Sequence, residues 1–184
     1  MEYKERDYPQ FAACGLNCGL CPRYYTAGGS RCPGCAGENF LDVHPACGIL
    51  SCCQRNGIEY CFECKEFPCS KFDNWGDSDS FITHKNYLAD MEKAKRIGIE
   101  AYKTELNIKI QVLEELLDDY NDGRRKSFYC LAINLLDLTD IDIVMGQIRN
   151  DVDPQTPIKQ KAITAVRLLN SIADEKGISL KMIK

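Results

Sequence analysis

The sequence predicts a mainly α-helical protein in which an irregular, cysteine-rich metal-binding module precedes a four- or five-helix bundle. Twelve cysteines are present, and all but Cys130 lie between Cys14 and Cys69. From about Phe81 onward, apolar residues recur at the three- and four-residue spacing of amphipathic helices. Because the character of the chain changes near Trp75, two domains are predicted: residues 11–74 and residues 75–184.

The first predicted domain is rich in Cys, Gly and Pro and has no sustained apolar periodicity. A segment of this kind buries little apolar surface, and small folds without a large core are held together by disulfides or metal ions. The N-terminus, MEYKERDYPQ, lacks the apolar stretch of a signal peptide, so we expect a cytoplasmic protein. In a reducing compartment, dense cysteines indicate metal or redox chemistry, except in thermophiles, where cytoplasmic disulfides occur.

The second predicted domain begins with three helices. The first follows Phe81 and ends near Gly98, and residues 121–123, Asn-Asp-Gly, end the second. A third helix carries Phe128 and Leu135 on its apolar face. His84 is expected at the start of the first of these helices.

Capping signals predict two more helices in the same domain. Thr139 and Asp142 resemble a capping box, and Thr156-Pro157 combines a cap with a first-turn proline. Gly177 would close the last helix. The tail, ISLKMIK, alternates apolar and polar residues and is compatible with a short edge strand.

Three Cys-x-x-Cys pairs carry the metal prediction: Cys18–Cys21, Cys32–Cys35 and Cys61–Cys64. Two intervening residues allow a tight turn, or zinc knuckle, to direct both sulfurs at one ion about 2.3 Å away. A tetrahedral site needs two such pairs or their equivalents, so three pairs and flanking thiols indicate two sites. The candidate ligands are Cys14, Cys18, Cys21, Cys32, Cys35, Cys47, Cys52, Cys61, Cys64 and Cys69.

The spacing leaves the assignment of ligands to ions open. In the simplest solution the first two pairs surround one ion in a zinc-ribbon-like arrangement, and Cys61 and Cys64 bind a second ion with two of Cys47, Cys52 and Cys69. In a crossed arrangement, alternate pairs share an ion. His44 could complete a Cys3His site, but the surplus of thiols favours an exposed loop histidine.

An iron–sulfur cluster is the main alternative to zinc. Cys14, Cys18 and Cys21 form Cys-x3-Cys-x2-Cys, the spacing that holds a [4Fe–4S] cluster in radical SAM enzymes. Those enzymes use a large α/β barrel, whereas the remainder of this chain predicts helices. Thiol redox exchange is disfavoured because redox-active pairs usually open a helix in a βαβ setting.

The segments CGLNCGLCP, RCPGC, CGILSCC and YCFECKEFPC resemble the signature of a cysteine-rich prokaryotic family of unknown function. The resemblance covers about residues 11–73. It implies that the ten candidate ligands are family cysteines, that they bind zinc, and that Cys53 and Cys130 are additions. It implies no activity.

These observations favour a non-catalytic protein with two structural zinc ions, whose module organises a surface for another macromolecule. An open catalytic zinc usually takes His or carboxylate ligands, and this cluster is nearly all Cys. The rival function is an iron–sulfur or thiol-based redox protein or enzyme. Nucleic-acid binding is a weaker alternative, because the net charge is −4 and no basic stripe is present. No apolar run has the roughly 20 residues that span a bilayer, so no membrane partner is expected.

Overall fold

The computed structural model describes residues 3–184, and within them the protein is mainly helical. Seven α-helices and no strands are present in this part of the chain. The helices are α1 (Phe40–Val43), α2 (Gly48–Arg55), α3 (Tyr87–Ile97), α4 (Ile99–Asp119), α5 (Lys126–Leu135), α6 (Leu138–Asp151) and α7 (Ile158–Glu175). The predicted fold class, a cysteine-rich region followed by a helix bundle, is confirmed.

The chain divides into two compact units. The first ends at Leu106 and also includes Ile183–Lys184, and the second is Asn107–Met182. The boundary therefore falls within α4. The separation into residues 11–74 and 75–184, drawn from the change in composition, stays a prediction.

In the first unit, the cysteine-rich segment consists of tight turns and two short helices. Three-residue 3-10 turns form at Cys18–Leu20, Gly28–Ser30, Cys61–Glu63 and Ser70–Phe72. Short turns dominate because Gly and Pro are frequent in this segment, and both residues disfavour longer helices. Helix α2 has one apolar face, which buries Ile49, Leu50 and Cys53.

The first helix after Trp75 begins later than predicted. Helix α3 starts at Tyr87, so Phe81, Ile82 and His84 precede it. The backbone N–H of His84 donates a hydrogen bond to Asp79 Oδ1 (2.6 Å), and its ring Nδ1 lies 2.9 Å from the Trp75 carbonyl oxygen. These local polar contacts hold residues 79–84 in a turn and compete with helix formation.

The predicted caps of the last two helices are each displaced. Helix α6 begins at Leu138 with Asp137 at its N-cap, and neither this cap nor that of α7 makes a side-chain hydrogen bond. Pro157, predicted inside the first turn of α7, is the N-cap. The tail forms no strand, because the Ile183 backbone is paired with Asp79 (Ile183 N–H to Oδ2, 2.7 Å).

The core of the second unit comes from α5, α6, α7 and the later turns of α4. Helices α6 and α7 pack against each other. Fully buried side chains include Leu113, Leu116, Tyr129, Ile133, Val144 and Leu169. None of the helices in residues 3–184 combines the length and the apolar character that a bilayer-spanning segment requires.

Candidate metal centre

A short stretch of chain, residues 9–13, anchors all three Cys-x-x-Cys pairs. The Pro9 carbonyl accepts from the Cys35 N–H (2.8 Å), the Gln10 carbonyl from the Gly19 N–H (2.9 Å), and the Ala13 carbonyl from the Cys61 N–H (2.9 Å). Phe11, Ala12 and Ala13 are almost completely buried. Three turns that are distant in sequence are thus gathered around one buried segment.

Two of the pairs have the same local geometry. In each, the N–H of the second cysteine donates to the carbonyl of the first: Cys21 to Cys18 at 3.1 Å, and Cys64 to Cys61 at 3.0 Å. This 3-10 turn brings the two Cα atoms close. The Cys32–Cys35 turn instead uses Gly34 in a left-handed conformation (φ +89°) against Pro9.

Six thiols are linked as electrostatic neighbours, each with at least one other of the six. Burial raises the pKa of Cys18 well above its ordinary value, and the neighbouring thiols of four cysteines raise it further. Burial likewise raises the pKa of Cys14, with contributions from Cys35 and Cys47. The group consists of Cys14, Cys18, Cys21, Cys32, Cys35 and Cys47. Crowded, buried thiolates repel one another, and a bound cation would offset that repulsion.

Arg6 supplies a positive charge beside this group. Burial raises the pKa of Cys35, and the charge and a hydrogen bond from Arg6 oppose that rise. The Arg6 side chain is only 6% exposed, its Nη1 donates to the Phe11 carbonyl (2.7 Å), and its guanidinium lies over the Tyr60 ring. Arg6 therefore favours the thiolate form of Cys35. It precedes the cysteine motifs, and no spacing signal in the sequence points to it.

A second group of thiols lies around Cys61. The Cys53 and Cys61 sulfurs are 3.4 Å apart, and both residues are buried. A hydrogen bond with Cys61 lowers the pKa of Cys53 and raises that of Cys61, and the charges of Cys14 and Cys69 raise the latter further. The family resemblance implies that Cys53 is an addition to the ligand set, and its position on the buried face of α2 agrees with the apolar pattern Ile49, Leu50, Cys53.

The remaining candidates are Cys52, Cys64 and Cys69. Cys64 is exposed, Cys69 is half-buried, and Cys52 is half-buried with its sulfur 3.6 Å from Asn56 Nδ2. No disulfide joins cysteines in residues 3–184, and no three His, Cys, Asp or Glu side chains there converge as a group that would hold a metal ion. The thiols are near one another, but no three of them in residues 3–184 surround a common position. Their softness, number and placement at turns nevertheless fit a thiophilic ion such as zinc.

The two histidines are used in other contacts. The ring of His44 is exposed and stacks on Phe40, with centroids 4.4 Å apart. Both ring nitrogens of His84 face oxygen atoms, those of the Trp75 carbonyl and the Ser80 hydroxyl.

A buried polar network attaches the first pair to α3 and α4. Asn17, directly before Cys18, donates from Nδ2 to Asp90 Oδ2 (2.9 Å) and accepts at Oδ1 from the Tyr102 hydroxyl (2.9 Å). Asn17 is 2% exposed and Tyr102 4% exposed. Because unpaired polar groups are costly when buried, this network fixes where the first turn lies against the helices of the same unit.

Comparison with known proteins finds a match between the cysteine-rich segment and the model of a family. No curated protein and no solved structure matches the chain. Residues 10–74 match the model of the family described as "Protein of unknown function (DUF3795)", and this is the segment in which the cysteines cluster. The predicted resemblance to a cysteine-rich family of unknown function is therefore confirmed for that segment.

Proposed function

We propose that the cysteine-rich segment binds two structural zinc ions through thiolates and thereby holds its turns in place as a surface for another macromolecule. The observation that carries this proposal is that the turns of all three Cys-x-x-Cys pairs are hydrogen-bonded to the buried residues 9–13, where neighbouring thiols act on one another electrostatically. A segment with so many thiols gains stability from ion binding, because a metal that binds only the folded state adds its binding free energy to folding.

The first ion would be held by Cys18, Cys21, Cys32 and Cys35. Cys21, Cys32 and Cys35 are all among the thiols whose charges act on Cys18. The second ion would use Cys61 with Cys69, because the charge of Cys69 acts on the pKa of Cys61. The charge of Cys47 acts instead on the pKa values of Cys14 and Cys35, which belong to the first group of thiols. A zinc ion with four thiolate ligands keeps no position open for water or substrate, so its contribution at such sites is structural.

A [4Fe–4S] cluster is the second candidate, favoured by one observation. Cys14 and Cys21, which flank Cys18 in the Cys-x3-Cys-x2-Cys pattern, are both among its electrostatic neighbours. Such a cluster would make the protein an electron carrier or redox enzyme.

Anaerobic expression followed by elemental analysis and an absorbance spectrum tests both candidates. We expect a colourless protein with two zinc ions per chain, which loses the fold of its N-terminal segment on chelation. A brown protein would establish the cluster instead, if it absorbs at about 400 nm and contains iron and sulfide but little zinc. A metal-free chain that keeps its fold contradicts both.

A further inference from the structure

The two adjacent cysteines of α2 lie in different environments. Successive residues of an α-helix are rotated by about 100° around its axis, so Cys52 and Cys53 cannot face the same side. Cys53 is 1% exposed and lies on the face that buries Ile49 and Leu50. Cys52 is half-buried and lies beside the Asn56 side chain, one turn further along the helix.

The distance between the Cys53 and Cys61 sulfurs is close to that between two thiolates bound to one metal ion. Two thiolates bound at about 2.3 Å to one tetrahedral zinc lie about 3.8 Å apart, whereas a disulfide has sulfurs about 2.0 Å apart. The observed separation is 3.4 Å. In a [4Fe–4S] cluster each iron takes one thiolate, which holds the cysteine sulfurs farther apart than one ion does.

The turn that carries Cys61 is also held firmly toward α2. The Cys61 N–H donates to the Ala13 carbonyl, and the Ile58 N–H donates to the Cys53 carbonyl (3.1 Å). Asn56 and Gly57, the latter at φ +65°, reverse the chain between α2 and the turn. The short connection therefore brings Cys61 back to Cys53 and away from the outer face of the helix.

We propose that Cys53, rather than Cys52, shares a metal ion with Cys61. This inference rests on the proposed zinc function and changes its ligand set: a cysteine outside the recognised pattern is a ligand, and its neighbour within the pattern is not. The chemistry requires only that both thiols lose their protons to solvent when the ion binds.

Cadmium NMR on the full chain tests this directly, because cadmium replaces zinc at thiolate sites and couples to the Hβ protons of the cysteines that bind it. We expect the Hβ protons of Cys53 and Cys61 to correlate with one cadmium resonance. A correlation from Cys52 to that resonance, or none from Cys53, overturns the inference. Failure of the chain to bind cadmium or zinc at all would instead contradict the proposed function.

A matched pair of variants gives a second measurement. Cys52→Ser should keep both zinc ions, whereas Cys53→Ser should lose one of the two. Cys130→Ser, which replaces a buried thiol in α5, controls for the general effect of burying a hydroxyl. Retention of both ions in Cys53→Ser, or loss of one in Cys52→Ser, would contradict the assignment.

Discussion

At the scale of single residues, the thiols of the first group owe their properties to burial and crowding. Burial raises the pKa of Cys14, Cys18, Cys21 and Cys35, and other thiols nearby contribute to the rise. In the metal-free chain these thiols are therefore protonated at neutral pH. An ion that binds them must displace those protons.

Zinc uptake should consequently release protons and strengthen as the pH rises. Each thiol that binds loses one proton, so the apparent affinity should increase about tenfold per pH unit for every proton released, and should fall as the pH is lowered. Zinc titrations at about pH 6 and pH 8, with proton release followed in weak buffer, measure both effects. Zinc binding without proton release would show that the thiols with raised pKa values are not the zinc ligands.

Gly34 is the residue on which the Cys32–Cys35 turn depends. Its φ is +89°, and a Cβ atom there would lie 2.4 Å from the Pro9 carbonyl oxygen, the acceptor of the Cys35 N–H. We expect Gly34→Ala to lower the free energy of unfolding of the first unit by at least about 1–2 kcal/mol. Denaturation followed by Trp75 fluorescence measures this.

Gly29→Ala is the matched control, because Gly29 has no positive φ and a Cβ there meets nothing within 4 Å. This change should alter stability by less than about 0.5 kcal/mol. Equal effects of the two substitutions would show that the approach of Gly34 to Pro9 does not matter for folding.

At the scale of elements, the first cysteine pair depends on helices outside the cysteine-rich segment. The Tyr102 hydroxyl of α4 donates to Asn17, and Asn17 donates to Asp90 of α3. The helices thus hold the turn that carries Cys18. Sequence periodicity predicted the helices after Trp75 but carried no sign of this partnership.

Tyr102→Phe should destabilise the first unit by about 1–2 kcal/mol, because the buried Asn17 oxygen loses this donor. The affinity for zinc should fall with it, since the turn before Cys18 is less firmly held. Calorimetric zinc titration and chemical denaturation measure the two effects.

Tyr129→Phe offers a comparison of the same chemistry in the second unit, where the hydroxyl donates to the Tyr120 carbonyl (2.7 Å). It should lower stability without changing zinc affinity. Equal zinc affinities in the Tyr102→Phe variant and the original chain would contradict the role given to the network.

At the scale of the whole molecule, the two units differ in what stabilises them. The second has a conventional apolar core, with Leu113, Ile133 and Leu169 fully buried. The first also buries large apolar side chains, among them Leu20, Leu50 and Met91, and adds to them its thiols, a group of small turns and a set of packed aromatic rings. The single tryptophan, Trp75, packs edge-on against Phe72 and Tyr87 and stacks on His84, so it reports on the first unit.

Removal of metal should therefore affect the units unequally. On chelation we expect Trp75 emission to shift toward that of an exposed indole, while backbone amides of α5–α7 keep their protection from hydrogen exchange. Restoring zinc should reverse the shift. Unchanged Trp75 emission in a chain shown to be metal-free would contradict a structural role for the ion.

Much of the fold followed from local patterns. Helical periodicity predicted the helices after Trp75 because an apolar stripe must be buried whatever it packs against. The start of α3 was displaced because the polar contacts of Asp79 hold the preceding residues in a turn. The caps of α6 and α7 differ from the predicted ones by one or two residues. Cys-x-x-Cys spacing likewise predicted tight turns at Cys18 and Cys61, since two residues between thiols favour a short turn.

The sequence by itself determined that thiols would be dense, carried on turns, and followed by helices, because spacing and periodicity act over only a few residues. Only the tertiary structure decided which thiols become neighbours. That Cys53 and not Cys52 meets Cys61, and that Arg6 lies beside Cys35, depends on how distant segments pack around residues 9–13. Such neighbours are set by long-range packing, which leaves no periodic signal in the chain.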